Sequence, residues 1–181
     1  RQVLHETAMV GRSKADSAQA RLQALNPEIE LVLHTAPMDE AQLLHLLDEV
    51  DVVMDCTDNF AIREAMNRAC VAKQVPWVSG AGIRVGGQIT VFDPRRAESP
   101  CYHCLYGEGD EAELTCSEAG VLGPLVGLVG SVPAWEALKL LVGLGETLCG
   151  RLVLIDALTT RFRELKVRRD SGCAVCGVHH G

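Results

Sequence analysis

The feature that most constrains the fold of this chain is a pair of C-x-x-C motifs, Cys101-Tyr-His-Cys104 and Cys173-Ala-Val-Cys176. Each motif presents two thiols on one tight turn, and four thiols together can complete the tetrahedral coordination of a zinc ion. The second motif follows the first about 70 residues later, a much longer interval than that of a zinc ribbon. A shared zinc ion would therefore tie the C-terminal end of the chain to its middle.

Three other interpretations of these four cysteines stay open at this point. They can form disulfides, they can act as two independent thiol pairs, or one motif can cycle as a redox dithiol. Disulfides fit poorly, because residues 1–5 lack the pattern of a secretory signal and the chain is expected in the cytoplasm. A redox C-x-x-C usually begins a helix after a strand, whereas Gly172 precedes the second motif near the C-terminus.

Composition and charge narrow the classes of protein to which the chain can belong. Of its 181 residues 48% are hydrophobic and 23% are charged, which is typical of a globular domain that buries a core without disulfides. The net charge of −7 argues against binding to nucleic acid or to a membrane surface. The apolar run from Val121 to Trp135 contains two prolines and meets charged residues before it reaches the length of a membrane span, so it predicts a buried helix.

Alternating apolar strands and amphipathic helices predict an α/β fold. Residues 50–54 and 75–79 are apolar runs with the character of buried strands, and residues 59–73 between them have helical spacing. A strand, a helix and a strand in succession make a βαβ unit, which implies a parallel sheet. The predicted inward face of this helix consists of Ala61, Ile62, Ala65, Met66, Ala69 and Cys70.

The flanking segments extend this pattern. Upstream, a helix is predicted over residues 13–25 with a capping box at Ser13 and Asp16, followed by a short strand at 29–33 and a helix that Asp39 begins. The glycine-rich and acidic segment 107–115 has few apolar anchors and is predicted to be mobile. The remaining predictions are a half-exposed strand at 86–93, a long buried helix at 125–142, and antiparallel strands at 151–156 and 162–167.

Two carboxylates, Asp55 and Asp58, stand where the first strand of the βαβ unit ends. Ligands bind at the carboxyl ends of strands in such sheets, and a carboxylate there suits a magnesium ion that bridges nucleotide phosphates. Asp58 or Asn59 would equally serve as the N-cap of the following helix. The glycines of residues 80–87 have neither the spacing of a dinucleotide-binding loop nor a helix after them, so no phosphate loop is predicted in this chain.

Three of the other cysteines differ in their surroundings. Cys56 and Cys70 fall within apolar patterns and are predicted to be small buried residues. Cys116 lies in a polar loop close to Gly120, where a reaction partner can reach a thiol, although its acidic neighbours do not favour a thiolate. A reactive and an unreactive Cys116 both stay open.

Motifs spread along the whole chain resemble those of the ThiF/MoeB/HesA family, the bacterial relatives of ubiquitin-activating E1 enzymes, and most closely its molybdopterin-synthase adenylyltransferases. They follow the order that the family has, and the combination of Asp-Cys-Thr-Asp-Asn with the paired cysteine motifs is specific. The matching segments are Arg1-Gln-Val-Leu4, Gly11-Arg-Ser-Lys14, Leu25-Asn-Pro27, Asp55-Cys-Thr-Asp-Asn59, Gly87-Gln88, Cys101-Tyr-His-Cys-Leu105, Thr115-Cys-Ser-Glu-Ala-Gly120, Glu136-Ala-Leu-Lys139 and Gly172-Cys-Ala-Val-Cys176.

The resemblance implies ATP-dependent adenylylation of the C-terminal Gly-Gly carboxylate of a ubiquitin-like sulfur-carrier protein, in molybdenum-cofactor or thiamine biosynthesis. It places Arg1 and Lys14 at the ATP phosphates and Asp58, with its neighbour Asn59, at the nucleotide and its magnesium ion. The four cysteines of the two motifs would hold a structural zinc ion. Cys116 matches a loop cysteine that carries the carrier covalently in some members and is dispensable in others.

The resemblance further implies a homodimer, with residues 107–115 as a crossover loop above the tail of the carrier. In the family, a first βαβ unit with a glycine-rich nucleotide loop precedes the position that Arg1 matches. Residues 1–181 are therefore expected to form a single, N-terminally incomplete adenylation domain that by itself binds ATP poorly. A non-catalytic zinc scaffold that keeps the carrier-docking surface is the alternative function, and a dithiol oxidoreductase is a third.

Overall fold

The chain divides into two compact units, Arg1–Asp39 and Glu40–Gly181. The structure is a computed structural model, and it describes residues 2–107 and 119–177. Among these residues, the smaller unit contains one α-helix, and the larger unit contains a five-stranded sheet with four α-helices. The prediction of one adenylation domain over residues 1–181 stays a prediction.

Helix α1 of the smaller unit covers Lys14–Leu25, and its limits follow from the local sequence. The hydroxyl of Ser13 accepts a hydrogen bond from the backbone N–H of Asp16 at 3.3 Å, as in the predicted capping box, and Asn26 ends the helix. The strand predicted at 29–33 was wrong. Within the described part of the chain its backbone has no ladder partner, and an apolar run without one does not make a strand.

The larger unit contains the predicted βαβ unit and the antiparallel strands that follow it. Its helices are α2 (Glu40–Leu46), α3 (Phe60–Lys73), α4 (Tyr102–Tyr106) and α5 (Gly123–Val142). Its strands are β1 (Val53–Asp55), β2 (Trp77–Ile83), β3 (Gly86–Phe92), β4 (Arg151–Asp156) and β5 (Arg161–Lys166). The helices predicted at 59–73 and 125–142 and the strands at 151–156 and 162–167 are thus confirmed to within two residues at each end.

The sheet has the strand order β1-β2-β3-β4-β5. β1 and β2 are parallel, with Asp55 beside Ser79, and the three later pairs are antiparallel. The mixed α/β fold is confirmed, but among the described strands antiparallel pairs outnumber the parallel pair, contrary to a mostly parallel sheet. β3 also differs from the expected half-exposed strand, because it is a central strand and five of its seven residues are buried.

The buried face of α3 is more polar than its apolar spacing predicts. Met66, Ala69 and Cys70 face the core as expected, but Ile62 is 47% exposed. Arg63 and Asn67, which the apolar spacing does not assign to the core, are buried at 9% and 0% exposure. Buried polar side chains of this kind need partners, and their partners lie at the two functional regions described below.

Helix α5 packs closely on the sheet through glycines of the strands. A Cβ atom at Gly80 would lie 2.8 Å from the side chain of Pro133, and one at Gly87 would lie 2.9 Å from Val129. Of the helices in the described residues, one, α5, is long and apolar enough to cross a membrane. One side of it nevertheless forms part of the core, where Leu125 and Val129 pack with residues of the sheet.

Candidate functional site

The two C-x-x-C motifs meet in space, as the sequence predicts. The four Sγ atoms of Cys101, Cys104, Cys173 and Cys176 all lie within 4.8 Å of one another. The Sγ of Cys101 is 3.8 Å from that of Cys104 and 3.6 Å from that of Cys173, and the Sγ atoms of Cys104 and Cys176 are 3.3 Å apart. Four sulfur atoms at about 2.3 Å from a zinc ion in a tetrahedron would be separated by about 3.8 Å.

This geometry fits a metal and not a set of disulfides. A disulfide needs about 2.05 Å between its sulfur atoms, and all four cysteines of the cluster are free thiols. Cys101 and Cys173 are buried at 2% and 3% exposure, so the cluster has an inner side closed to solvent. Four thiolate ligands also fill a tetrahedral shell, which is the arrangement of structural zinc sites.

Asn67 of α3 supports the cysteine cluster, and sequence reasoning missed it. Its amide Nδ2 donates to the Sγ of Cys101 at 3.6 Å, and its Oδ1 accepts from the backbone N–H of Tyr102 at 3.0 Å. Both ends of a fully buried side chain are therefore used to orient the first C-x-x-C motif. A lone asparagine within a predicted helix gave no sequence signal of this role.

Backbone N–H groups complete the surroundings of the sulfur atoms. Val175 donates to the Sγ of Cys173 at 3.4 Å, and Asp170 donates to the Sγ of Cys104 at 3.5 Å. The guanidinium of Arg169 donates to the carbonyl oxygens of Ala97 and Cys176 and so ties the second motif to the body of the unit. N–H groups that point at sulfur stabilise thiolates, as a metal-bound cluster requires.

Without metal, Cys101, Cys173 and Cys176 of the cluster would hold their protons unequally. Burial raises the pKa of the Cys101 thiol to about 11. Burial also disfavours the thiolate of Cys173, but hydrogen bonds from the Cys176 and Val175 backbone outweigh it and lower the pKa of Cys173 to about 7. Burial and its hydrogen bonds to Cys104 and Cys101 raise the pKa of Cys176. Metal binding must therefore displace protons from at least Cys101 and Cys176 at neutral pH.

A second polar cluster lies at the carboxyl end of β1. Asp55, which is 2% exposed, accepts hydrogen bonds at Oδ1 from the backbone N–H of Thr57 at 2.8 Å and from its hydroxyl at 2.7 Å. Its Oδ2 accepts from Arg63 Nε at 3.0 Å and from the hydroxyl of Ser79 at 3.2 Å. The carboxylate of Asp55 is thus used within the fold.

Arg63 joins this cluster to the loop that follows β1. Its Nε donates to Asp55, and its Nη2 donates to the backbone carbonyl of Thr57. Burial opposes its charge, but Asp55 and Tyr102 outweigh that effect and raise the pKa of the guanidinium, which stays charged. The sequence gives no sign of this role, because Arg63 occupies a helix position that is usually solvated.

Asp58 and Asn59 have distinct positions at the start of α3. Asn59 is the N-cap residue, and its Oδ1 accepts from the backbone N–H of Ile62 at 3.1 Å. Asp58 is exposed, and it makes no hydrogen bond or ion pair with another described residue. The capping role considered for this pair therefore falls to Asn59, and the carboxylate of Asp58 is left available to a ligand.

The other predicted site residues lie elsewhere. Lys14 is exposed and is the first residue of α1 in the smaller unit. Arg1, Cys116 and all of the predicted crossover loop 107–115 except Gly107 fall outside the described residues. The roles predicted for them stay predictions. Cys56, expected to be buried, is exposed because β1 ends before it, whereas Cys70 is buried as predicted.

The Glu136-Ala-Leu-Lys139 motif has a structural position in α5. Glu136 is 2% exposed, and its Oε2 accepts from the backbone N–H of Leu148 at 2.8 Å. Its Oε1 lies 2.5 Å from Lys139 Nζ, which in turn donates to the carbonyl of Glu146 at 2.6 Å. These contacts fasten the end of α5 to the segment that enters β4.

Comparisons with known proteins agree with this arrangement. A protein-family model described as the ThiF family matches residues 1–175. The chain is 49% identical over 177 residues to molybdopterin-synthase adenylyltransferase of Escherichia coli (strain K12), a match that covers 98% of this chain and 71% of that protein. It is 42% identical over 177 residues to the sulfur carrier protein ThiS adenylyltransferase of the same organism, which covers 98% of this chain and 70% of that protein.

Solved structures show the same fold. The E. coli MccB structure with MccA-N7isoASN superposes with a TM-score of 0.82 at 20% sequence identity, over 98% of this chain and 55% of that chain. The structure of E. coli MccB with ATP gives a TM-score of 0.79 at 21% identity, over 98% of this chain and 54% of that chain. The chain therefore spans about 55% of the length of these structural neighbours. The E1-like fold expected from the sequence is confirmed.

Proposed function

The chain belongs to the ThiF family and carries an adenylyltransferase domain, and on this premise we propose that it adenylylates the C-terminal Gly-Gly carboxylate of a ubiquitin-like sulfur-carrier protein. The names of two relatives point to molybdopterin synthase and to ThiS as the systems served. The observation that carries the proposal is the exposed carboxylate of Asp58, which has no partner among the described residues and lies just after β1, within the family's Asp-Cys-Thr-Asp-Asn motif.

The proposed reaction is one in-line displacement at phosphorus. A carboxylate oxygen of the carrier attacks the α-phosphorus of ATP, the bond from that phosphorus to the pyrophosphate oxygen breaks, and pyrophosphate leaves. The product is an acyl-adenylate, a mixed anhydride that a sulfur donor can convert into a thiocarboxylate. Negative charge grows on the phosphate oxygens during attack, so cationic groups fixed beforehand lower the barrier.

Asp58 is the proposed magnesium ligand. Its donor set suits that ion, because Mg²⁺ prefers carboxylate oxygens and keeps several waters, which an exposed site allows. A bound magnesium ion would supply charge neutralisation at the nucleotide phosphates. Arg1 and Lys14 are proposed to contact the phosphates, while Asn59 acts there as the cap that begins α3 behind Asp58.

The cysteine cluster is proposed to hold zinc as a structural ion. All four tetrahedral positions are provided by Cys101, Cys104, Cys173 and Cys176, so no position is left for a substrate. The cluster joins residues that are far apart in the chain, and the contact of Asn67 with Cys101 links it to α3. Its role is to stabilise the larger unit.

A homodimer in the cytoplasm is proposed as the working form. Helix α5 exposes an apolar stripe on the side away from the sheet, which consists of Leu128, Trp135, Leu138, Leu141 and Val142 at 45%, 56%, 59%, 51% and 67% exposure. A contiguous apolar face of this kind marks an interaction surface. A second copy of α5 can cover it, because the same stripe meets itself across a two-fold axis.

The test is carrier-dependent exchange of labelled pyrophosphate into ATP. The intact protein that contains residues 1–181, supplied in turn with the molybdopterin-synthase carrier and with ThiS, is expected to catalyse exchange with at least one of them. Asp58→Ala should abolish exchange and leave the fold intact, while Asp51→Ala, an exposed aspartate that precedes β1, should retain it. No exchange with either carrier, or full exchange by Asp58→Ala, would contradict the proposal.

A further inference from the structure

We infer that Arg63 is a positioning residue that fixes the direction of the Asp58 carboxylate. The inference rests on the proposed function, because it concerns the same magnesium and nucleotide site. It assigns to an arginine in the first turn of α3 a role in that site that its buried position does not suggest.

The first observation is a pair of hydrogen bonds that Arg63 donates to the loop between β1 and α3. Arg63 Nε donates to Asp55 Oδ2 at 3.0 Å, and Arg63 Nη2 donates to the carbonyl oxygen of Thr57. That carbonyl belongs to the peptide group that joins Thr57 to Asp58. The hydrogen bond from the guanidinium therefore restricts the orientation of this peptide group, and with it the backbone of Asp58.

The second observation is that both ends of the turn are fixed. On one side, Asp55 receives the backbone N–H and the hydroxyl of Thr57 at 2.8 and 2.7 Å, and it lies beside Ser79 in the next strand. On the other side, Asn59 caps α3. Asp58 lies between Thr57, which is bonded to Asp55, and the cap residue Asn59, and its carboxylate has no partner among the described residues.

The third observation is that Arg63 is not placed to serve a ligand itself. Its side chain is 11% exposed, and that of Asp55, its ion-pair partner, is 0% exposed. The guanidinium donates its hydrogen bonds to Asp55 and to the Thr57 carbonyl, which are groups of the protein itself. Loss of a residue that orients a metal ligand typically costs 10–100-fold in metal affinity.

Arg63→Lys separates the positioning role from the other possible roles. Lysine keeps a positive charge for Asp55 but cannot hold Asp55 and the Thr57 carbonyl with one rigid fork. We expect the variant to fold and to need about tenfold more Mg²⁺ for half-maximal pyrophosphate exchange, with an unchanged KM for the carrier. The matched control is Arg68→Lys on the same helix, whose arginine pairs with Glu40 at the surface and should leave the Mg²⁺ requirement unchanged.

A binding measurement tests the same point without catalysis. Mn²⁺, titrated into the protein with ATP and followed by water-proton relaxation, should bind about tenfold more weakly to Arg63→Lys. In an Asp58→Asn background, Arg63→Lys should cause no further loss, because Arg63 acts through Asp58. Arg63→Gln provides a second, stronger variant for the same titration.

The outcomes are distinct. A lower melting temperature with unchanged Mg²⁺ and Mn²⁺ affinity would show that Arg63 is merely structural, and an additive loss in the Asp58→Asn background would show that it acts apart from Asp58. Either result overturns the inference. Wild-type protein that binds Mn²⁺ through Asp58 but catalyses no exchange would overturn the proposed function and leave the titrations to decide the role of Arg63. Mn²⁺ binding that does not depend on Asp58 would overturn the inference.

Discussion

Asn67 and Cys101 form a buried contact in which the asparagine amide donates to the cysteine sulfur at 3.6 Å. Asn67 and Arg63 lie one turn apart on the same buried face of α3. The helix therefore contacts the cysteine cluster with one side chain and the loop that presents Asp58 with the other.

Asn67→Ala should weaken zinc binding by about 10–100-fold, because it removes the donor that holds the Cys101 sulfur. The measurement is competition for zinc against a chromophoric chelator. The control is Arg68→Ala, the exposed neighbouring residue on α3, which should bind zinc as the wild type does. Equal zinc affinity in Asn67→Ala and the control would contradict the role given to Asn67.

Cys173→Ser should remove zinc and lower stability. A metal that links Cys101 to Cys173 closes a loop of 72 residues, and the chain entropy of such a loop corresponds to about 4 kcal/mol. For a chain of this size that loss lowers the melting temperature by about 10 °C. The checks are elemental analysis and thermal unfolding, with Cys56→Ser at an exposed cysteine as the control. One zinc ion per chain in Cys173→Ser would show that the cluster is not the site.

Zinc retention should fall steeply as the pH decreases. In the metal-free protein the pKa of Cys101 is about 11 and the pKa of Cys176 is raised, so both thiols are protonated at pH 8 and must lose protons when zinc binds. Affinity should therefore weaken by at least about a hundredfold per pH unit below 8. Cys173, with a pKa of about 7, adds a third proton below that pH. Chelator competition between pH 6 and 8 measures the slope, and a slope below two protons would contradict this account.

Asp55→Asn should destabilise the protein by about 3–5 kcal/mol, because it leaves the charge of Arg63 buried without its partner. The loss corresponds to a decrease in melting temperature of about 10 °C. Asp48→Asn provides the comparison, since its pair with Lys73 is exposed and is worth less than about 1 kcal/mol. Equal melting temperatures for the two variants would show that the Asp55–Arg63 pair carries no stability.

Leu138→Asp should convert the proposed dimer into a monomer, because it places a charge in the centre of the exposed stripe of α5. Sedimentation equilibrium measures the change. Leu158→Asp introduces the same charge at a residue that is 77% exposed in the turn between β4 and β5, and it should leave the dimer intact. A dimer that persists in Leu138→Asp would place the interface elsewhere.

Local chemistry made several elements predictable from the sequence. Helices α1 and α3 begin where Ser13 and Asn59 cap them, and each cap side chain accepts a hydrogen bond from the backbone N–H three residues later. The cysteine cluster was equally predictable although it joins distant segments, because the preference of zinc for four thiolates dictates which residues must meet. Such features depend on residue type and spacing and need no knowledge of the surrounding fold.

Tertiary structure alone decided the features that depend on a distant partner. Residues 29–33 have the composition of a strand, yet a strand requires a neighbouring backbone to bond with. Arg63 and Asn67 have the composition of a solvated helix face, yet they are buried because Asp55 and Cys101 lie within reach of them. The sequence by itself determined the family, the caps that begin α1 and α3, and the four cysteines that come together, since these follow from local bonding and thiol chemistry. Only the folded chain decided which polar side chains are buried, because desolvation is tolerated solely where a partner from elsewhere in the chain completes the hydrogen bonds.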